Sequence, residues 1–235
     1  MTDPALLLVA HGTRNPRGVE MIARLADAVA DRVGPTRVAF VDVLGPSPAE
    51  ALREIRGPVV LVPAFLASGY HVHNDVPREV AESGHRGVAV TRALGPDPAL
   101  AEVLLHRLRE AGWSPGDAIV LAAAGSSDAR ALHDVQRAAH MLSALTRTPV
   151  RIGYVATGEP RVPKVVAASR RPGVRVFIAS YLLAEGLFHS RLAEAGADGV
   201  APPLGVTAPV VDLVARRYRA AVPTLRAGAG TRPNH

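Results

Sequence analysis

At 235 residues, 48% of them hydrophobic, the chain can bury a substantial core as one large domain or two small ones. It contains no cysteine, which excludes disulfides and thiolate ligands, so any metal chemistry rests on histidine, carboxylate and water. The formal charge of +6 comes almost wholly from arginine, Lys164 being the only lysine; with four Phe, four Tyr and no basic run interleaved with aromatics, a small polyanionic ligand explains it at least as well as nucleic acid, which is not expected as a partner, and genomic arginine bias is the alternative source.

The first predicted strand is Ala5–Ala10, with neither a basic leader nor a small-residue cleavage site before it. No apolar run approaches the roughly 20 residues of a membrane helix, so a cytoplasmic protein with no membrane association is expected. Val19, Ile22, Leu25, Ala26, Val29 and Val33 then recur at helical spacing. Further strands are predicted at Arg37–Val43, Pro58–Leu66, Gly87–Leu94, Ala118–Ala123, Val150–Val155, Val174–Leu183 and Gly199–Pro202. Strand and helix alternating in this way imply an α/β protein with parallel sheets covered by helices.

The pattern occurs twice. Leu6–Thr13 lines up with Ile119–Ser126, each an apolar strand running into a glycine turn. Val60–Leu66 followed by Gly69 lines up with Val176–Leu182 followed by Gly186, with one extra residue in the second copy. Ala93-Leu94-Gly95 and Pro203-Leu204-Gly205 each precede a terminal helix. The expected organisation is two Rossmann-like halves, 1–114 and 115–222, each a four-stranded parallel sheet with flanking helices, and a disordered tail, 223–235; Trp113-Ser114-Pro115-Gly116 forms the junction turn. A ligand cleft between two such halves is expected at the carboxyl ends of the strands. His11 ends one strand, and Gly69-Tyr70-His71 follows another.

At these residues the sequence resembles the class II chelatases, in particular the two-domain sirohydrochlorin chelatases of sirohaem or cobalamin synthesis. The matching pieces are Ala10-His11-Gly12-Thr13-Arg14, Ala39-Phe40-Val41-Asp42 with Pro46-Ser47, and Phe65-Leu66 with the run from Gly69 through Tyr70, His71, His73 and Asp75 to Pro77. The resemblance implies that His11 and His71 are the metal-site histidines and that Asp42 supplies the acidic group, often a glutamate in relatives. It also implies a tetrapyrrole substrate and a divalent ion, Fe2+ first and Co2+ second, taken as substrate rather than held as a permanent cofactor. A monomer is expected.

Neutral imidazole suits iron, cobalt and nickel and accepts a proton near cellular pH, and two histidines with one carboxylate hold an ion loosely enough to release it. Each residue also has a structural reading: His11 as a turn cap, His71 as a helix-start residue bonded to backbone, Asp42 as a cap. His73 is either a third ligand or a residue on the opposite side of its turn. Asp75 shares a helical face with His71 and either orients its ring or complements the helix dipole. Arg14, Arg17 and Arg78, with Ser126, Ser127 and Arg130 of the second copy, are candidates for holding substrate carboxylates.

At the positions of His11, Asp42 and His71 the second copy has Ala124, Ala156 and Phe188. The strands and glycine turns persist without the polar groups, so folding the unit does not require them. Tyr181, Leu187 and Phe188 either contact the macrocycle or belong to the core. A non-catalytic tetrapyrrole carrier is the rival reading; a histidine-phosphatase-like enzyme would need arginine where Ala10 stands.

Overall fold

The computed structural model describes residues 3–229, with side chains to Arg226. Its elements alternate as expected: β1 (Ala5–Ala10), α1 (Pro16–Val33), β2 (Thr36–Phe40), α2 (Pro48–Glu54), β3 (Val59–Pro63), a π-helical turn (His71–Asp75) running into α3 (Val76–Ser83), β4 (Val88–Val90) and α4 (Pro98–Glu110). The second series is β5 (Ala118–Gly125), α5 (Ala129–Thr146), β6 (Val150–Thr157), α6 (Val162–Ser169), β7 (Val176–Tyr181), α7 (Leu187–Leu192), β8 (Gly199–Val200) and α8 (Ala208–Ala229). Each series builds a four-stranded parallel sheet, ordered β2-β1-β3-β4 in one and β6-β5-β7-β8 in the other. Among the described residues, no helix is long and apolar enough to cross a membrane.

The chain forms two compact units. One runs to Phe65, resumes at Tyr70–Leu94 and takes the chain from Val211 on; the other holds Leu66–Gly69 and Gly95–Val210. These differ from the expected 1–114 and 115–222, because each half's terminal helix is counted with the other sheet. Burial explains the assignment of α8. Tyr218 on it donates to the Pro4 carbonyl at 2.6 Å, and the buried Arg217 reaches the Ala93 and Leu94 carbonyls at 3.2 Å.

In the first unit, Leu6, Leu7, Leu8 and Val9 are fully buried, as a central strand covered on both faces must be. Asn15 caps α1 by accepting the Arg17 amide at 3.0 Å, and Pro16 supplies a preset first turn. Ser47 and Glu50 form a capping box at α2, which fixes the chain directly after the β2 exit loop. In the second unit, Val120, Ala122, Val165, Val166, Val176 and Ile178 make one core cluster.

Two expectations are corrected. Ala5 pairs with Val59 and Ala118 with Val176, so Val59, not Val60, is the counterpart of Val176. With that register Gly69 matches Gly186 and His71 matches Phe188 without an extra residue. The apolar run hid the slip, since a fully buried strand has no alternation to mark its phase. The tail expected to be disordered, 223–235, is helical as far as Ala229, and 230–235 lie outside the described residues. α8 continues past Pro223, and Arg226 on it pairs with Asp3 at 2.7 Å.

Candidate metal-handling site

His11 leaves β1 at the carboxyl end of the sheet, and the turn after it is possible only because residue 12 is glycine. Gly12 has φ +100°, and a Cβ there would run into the Asp42 carbonyl oxygen. The Asp42 amide donates to the His11 carbonyl at 3.0 Å, so the β1 and β2 exits are tied together. One oxygen of the Asp42 carboxylate accepts the Val43 amide at 2.8 Å, within the turn itself; the cap of the next helix is Ser47. The same carboxylate still acts on His11 electrostatically, favouring its protonated form.

His71 enters from the β3 exit, where Val76 N–H reaches back five residues to the His71 carbonyl. Single π turns of this kind recur at functional sites, because the extra residue re-aims side chains. The His71 and His11 rings meet edge to face with centroids 4.5 Å apart. Phe65 lies nearly parallel to the His71 ring at 6.0 Å, and the exposed Tyr70 meets it edge-on at 6.1 Å. Asp75, 6% exposed, takes His71 Nδ1 at 2.6 Å and Arg78 Nη1 at 3.0 Å. With Nδ1 engaged, Nε2 is the nitrogen His71 offers to an ion or proton.

Electrostatics favour a neutral His11. Desolvation by the surrounding protein, then the neighbouring His71, hold the His11 imidazole below its ordinary proton affinity, against the opposing pull of Asp42. A neutral imidazole has a lone pair to give. Among the described residues no three His, Asp or Glu side chains gather as a closed metal cage. The arrangement is a histidine pair with a carboxylate behind one ring, which can hold an ion and release it.

The structure thus brings His11, His71 and Asp75 together, with Asp42 at the turn beside them. His73 is exposed on the π turn. Arg14 and Arg17 are exposed just after His11. Arg78 is drawn into the Asp75 pair and also lies near Glu79 and Glu82, at 3.7 Å each. In the second unit Arg130 holds Asp128 at 2.8 Å, Ser126 Oγ accepts the Asp128 amide at 3.0 Å, and Ser127 is exposed. Tyr181 is a core residue, 3% exposed, whose hydroxyl donates to the Leu66 carbonyl at 2.8 Å; Leu187 and Phe188 are exposed. Phe65 stacking and the conformation of the Asp42–Leu44 turn were not read from the sequence. Val43 looked like the last residue of a strand, and nothing local marks the turn.

The second unit repeats the scaffold without the chemistry. Gly125 has φ +95°, and a Cβ there would strike the Thr157 carbonyl, as one at Gly12 would strike Asp42. Phe40 and Tyr154 donate to Pro46 and Pro160 at 2.9 Å each, so counting along the chain keeps Ala156 opposite Asp42, while the carbonyl packed on the glycine comes from Thr157 one residue later. Neither position is a carboxylate.

The CbiX family model matches residues 5–111 and again 118–221. A sirohydrochlorin cobaltochelatase of Methanothermobacter thermautotrophicus is 31% identical over 130 residues, 45% of this chain and 91% of its own length. Among solved structures, Bacillus subtilis SirB with Fe3+ superposes with a TM-score of 0.83 at 19% identity, over 96% of this chain and 98% of that one. The CbiX described as the terminal enzyme for siroheme biosynthesis in denitrifying bacteria gives 0.70 at 24% identity, over 92% and 99%. At these identities the two structures establish the shared fold.

Proposed function

Because the chain belongs to the CbiX family, its model matching both halves, we propose that it is a sirohydrochlorin chelatase, a lyase that inserts a divalent ion into a tetrapyrrole for sirohaem or cobalamin synthesis. The observation that carries the reading is the edge-to-face His11–His71 pair at 4.5 Å, with His71 fixed through Nδ1 by Asp75.

Insertion exchanges two pyrrole protons for one M2+ ion. The ion is a substrate, taken by His11 and by Nε2 of His71. As its bonds pass to the ring nitrogens, the freed imidazoles are bases positioned for the departing protons. Asp75 keeps the His71 ring in one orientation throughout, and Arg78 balances the carboxylate's charge. Asp42 acts on His11 through its charge. Arg14 and Arg17 are proposed to meet the carboxylates on the rim of sirohydrochlorin, with Arg78, Arg130, Ser126 and Ser127 as further proposed contacts.

Fe2+ is proposed as the physiological ion and Co2+ as the second. Imidazole donors suit both, and intrinsic affinity rises from Fe2+ to Co2+, so the isolated protein is expected to bind Co2+ more tightly. The relative named above as a cobaltochelatase supports cobalt. Mixing the purified protein with sirohydrochlorin and each ion, and following the absorbance of the metallated ring, tests the proposal. Acceleration over the spontaneous reaction is expected, with a loss of at least about a hundredfold in His11→Ala and in His71→Ala, the scale of a lost acid–base group. Ring binding with no acceleration would establish the carrier reading instead.

A further inference from the structure

Two non-glycine residues among those described have positive φ, Val43 at 69° and Arg147 at 53°. Arg147 ends α5 in the left-handed conformation common at helix C-termini. Val43 is different: it is β-branched, a type for which positive φ is a genuine outlier. It forms the centre of a γ-turn closed by Leu44 N–H to the Asp42 carbonyl at 2.8 Å, and this positive-φ form of the turn is rare and strained. The turn is over-determined by its surroundings. Asp42 Oδ1 holds the Val43 amide, the Asp42 amide holds the His11 carbonyl, and Gly12 makes room for the Asp42 carbonyl.

The strain serves no burial. Val43 is 46% exposed and Leu44 36%. A glycine or asparagine would take this conformation more cheaply. Among the described residues of the first unit, the exposed large apolar side chains are Val43, Leu44, Tyr70 and Val90; the first three flank the exits that carry His11 and His71. Val43 Cβ lies 3.5 Å from where a Cβ on Gly12 would stand, so its isopropyl group borders the residue after His11. Strain kept at an exposed apolar residue beside a reactive pair is the pattern of a ligand contact.

We propose that Val43 is a substrate-contact residue, held by the strained turn so that its isopropyl group meets the flat apolar face of the macrocycle and sets the ring's position at His11. This rests on the chelatase reading and adds to it the part of the site that recognises the ring rather than the ion. Val43→Gly removes both strain and contact; Val43→Asn accepts positive φ but replaces the apolar surface by an amide. Each variant is compared with wild type for thermal unfolding midpoint, Co2+ binding without the ring, and KM and kcat for sirohydrochlorin with Co2+.

The midpoint is expected to equal or exceed that of wild type and Co2+ affinity to be unchanged, while KM rises about tenfold, the worth of a partly buried apolar side chain. A merely structural residue would lower the midpoint, and that result overturns the proposal. Unchanged KM and kcat in both variants, with an active wild type, overturn the contact alone. A wild type that accelerates no insertion overturns the chelatase reading, and the contact with it.

Discussion

Asp75 joins a ring nitrogen of His71 to the guanidinium of Arg78, and its burial makes that junction costly to disturb. Asp75→Asn keeps the size of the side chain but removes the charge. A ten- to hundredfold loss of Co2+ affinity is expected, the usual scale for the partner behind a ligating histidine; isothermal titration reads it, with circular dichroism showing the fold retained. His11 gives a second test. Its folded proton affinity is held below the ordinary 6.5, first by desolvation and then by His71. In the metal-free protein its imidazole resonances are therefore expected to titrate below pH 6.5, and His71→Ala is expected to move the midpoint upward. Both histidines were legible in the sequence from their places at strand exits and from their absence in the second copy. The stacking of Phe65 and the conformation of the turn at Val43 were not: the first depends on how the π turn aims the His71 ring, and the second on the distant Gly12 and His11.

At the scale of elements, the two glycine turns are the features that make both sheets possible in this form. Gly12 and Gly125 combine positive φ with a carbonyl pressed where a side chain would go. Gly12→Ala and Gly125→Ala are each expected to destabilise the protein by about 1–3 kcal/mol from the backbone conformation, with the clash adding to it; urea unfolding measures it. Only Gly12→Ala is expected to impair insertion beyond what lost stability explains, because only that turn carries a histidine. Strand existence and order of appearance were readable from apolar runs. Their ends were not: β4 stops at Val90 and β2 at Phe40, short of the predicted Leu94 and Val43. An apolar run does not say where pairing ceases, and the residues after Phe40 belong to the strained turn.

At the scale of the molecule, the compact units cross the sequence duplication. The first unit includes α8 from Val211 on, so a fragment ending at residue 114 lacks Tyr218 and Arg217 and leaves the Pro4, Ala93 and Leu94 carbonyls without these donors. That fragment is expected to unfold at markedly lower urea than the whole chain. In the second unit, Asp117 is desolvated, which alone would raise its proton affinity. The hydrogen bonds from Arg175, with that of the Ser114 amide, outweigh burial and hold it below the ordinary 3.8. A carboxylate so depressed stabilises the fold fully above 3.8, and the contribution is lost as pH falls through the lowered value. Asp117→Asn should therefore flatten the acid side of the stability profile and lower stability at neutral pH.

By itself the sequence determined the α/β class, the duplication, the absence of thiolate chemistry and the two histidines that one copy has and the other lacks. These follow from residue type, local periodicity and comparison of one stretch of chain with another. Only the tertiary structure decided the register of the third strand, the exchange of terminal helices between units and the strained conformation of Val43. Each of those is an outcome of competition among distant segments for the same buried space and the same hydrogen bonds, and no local pattern records which segment wins.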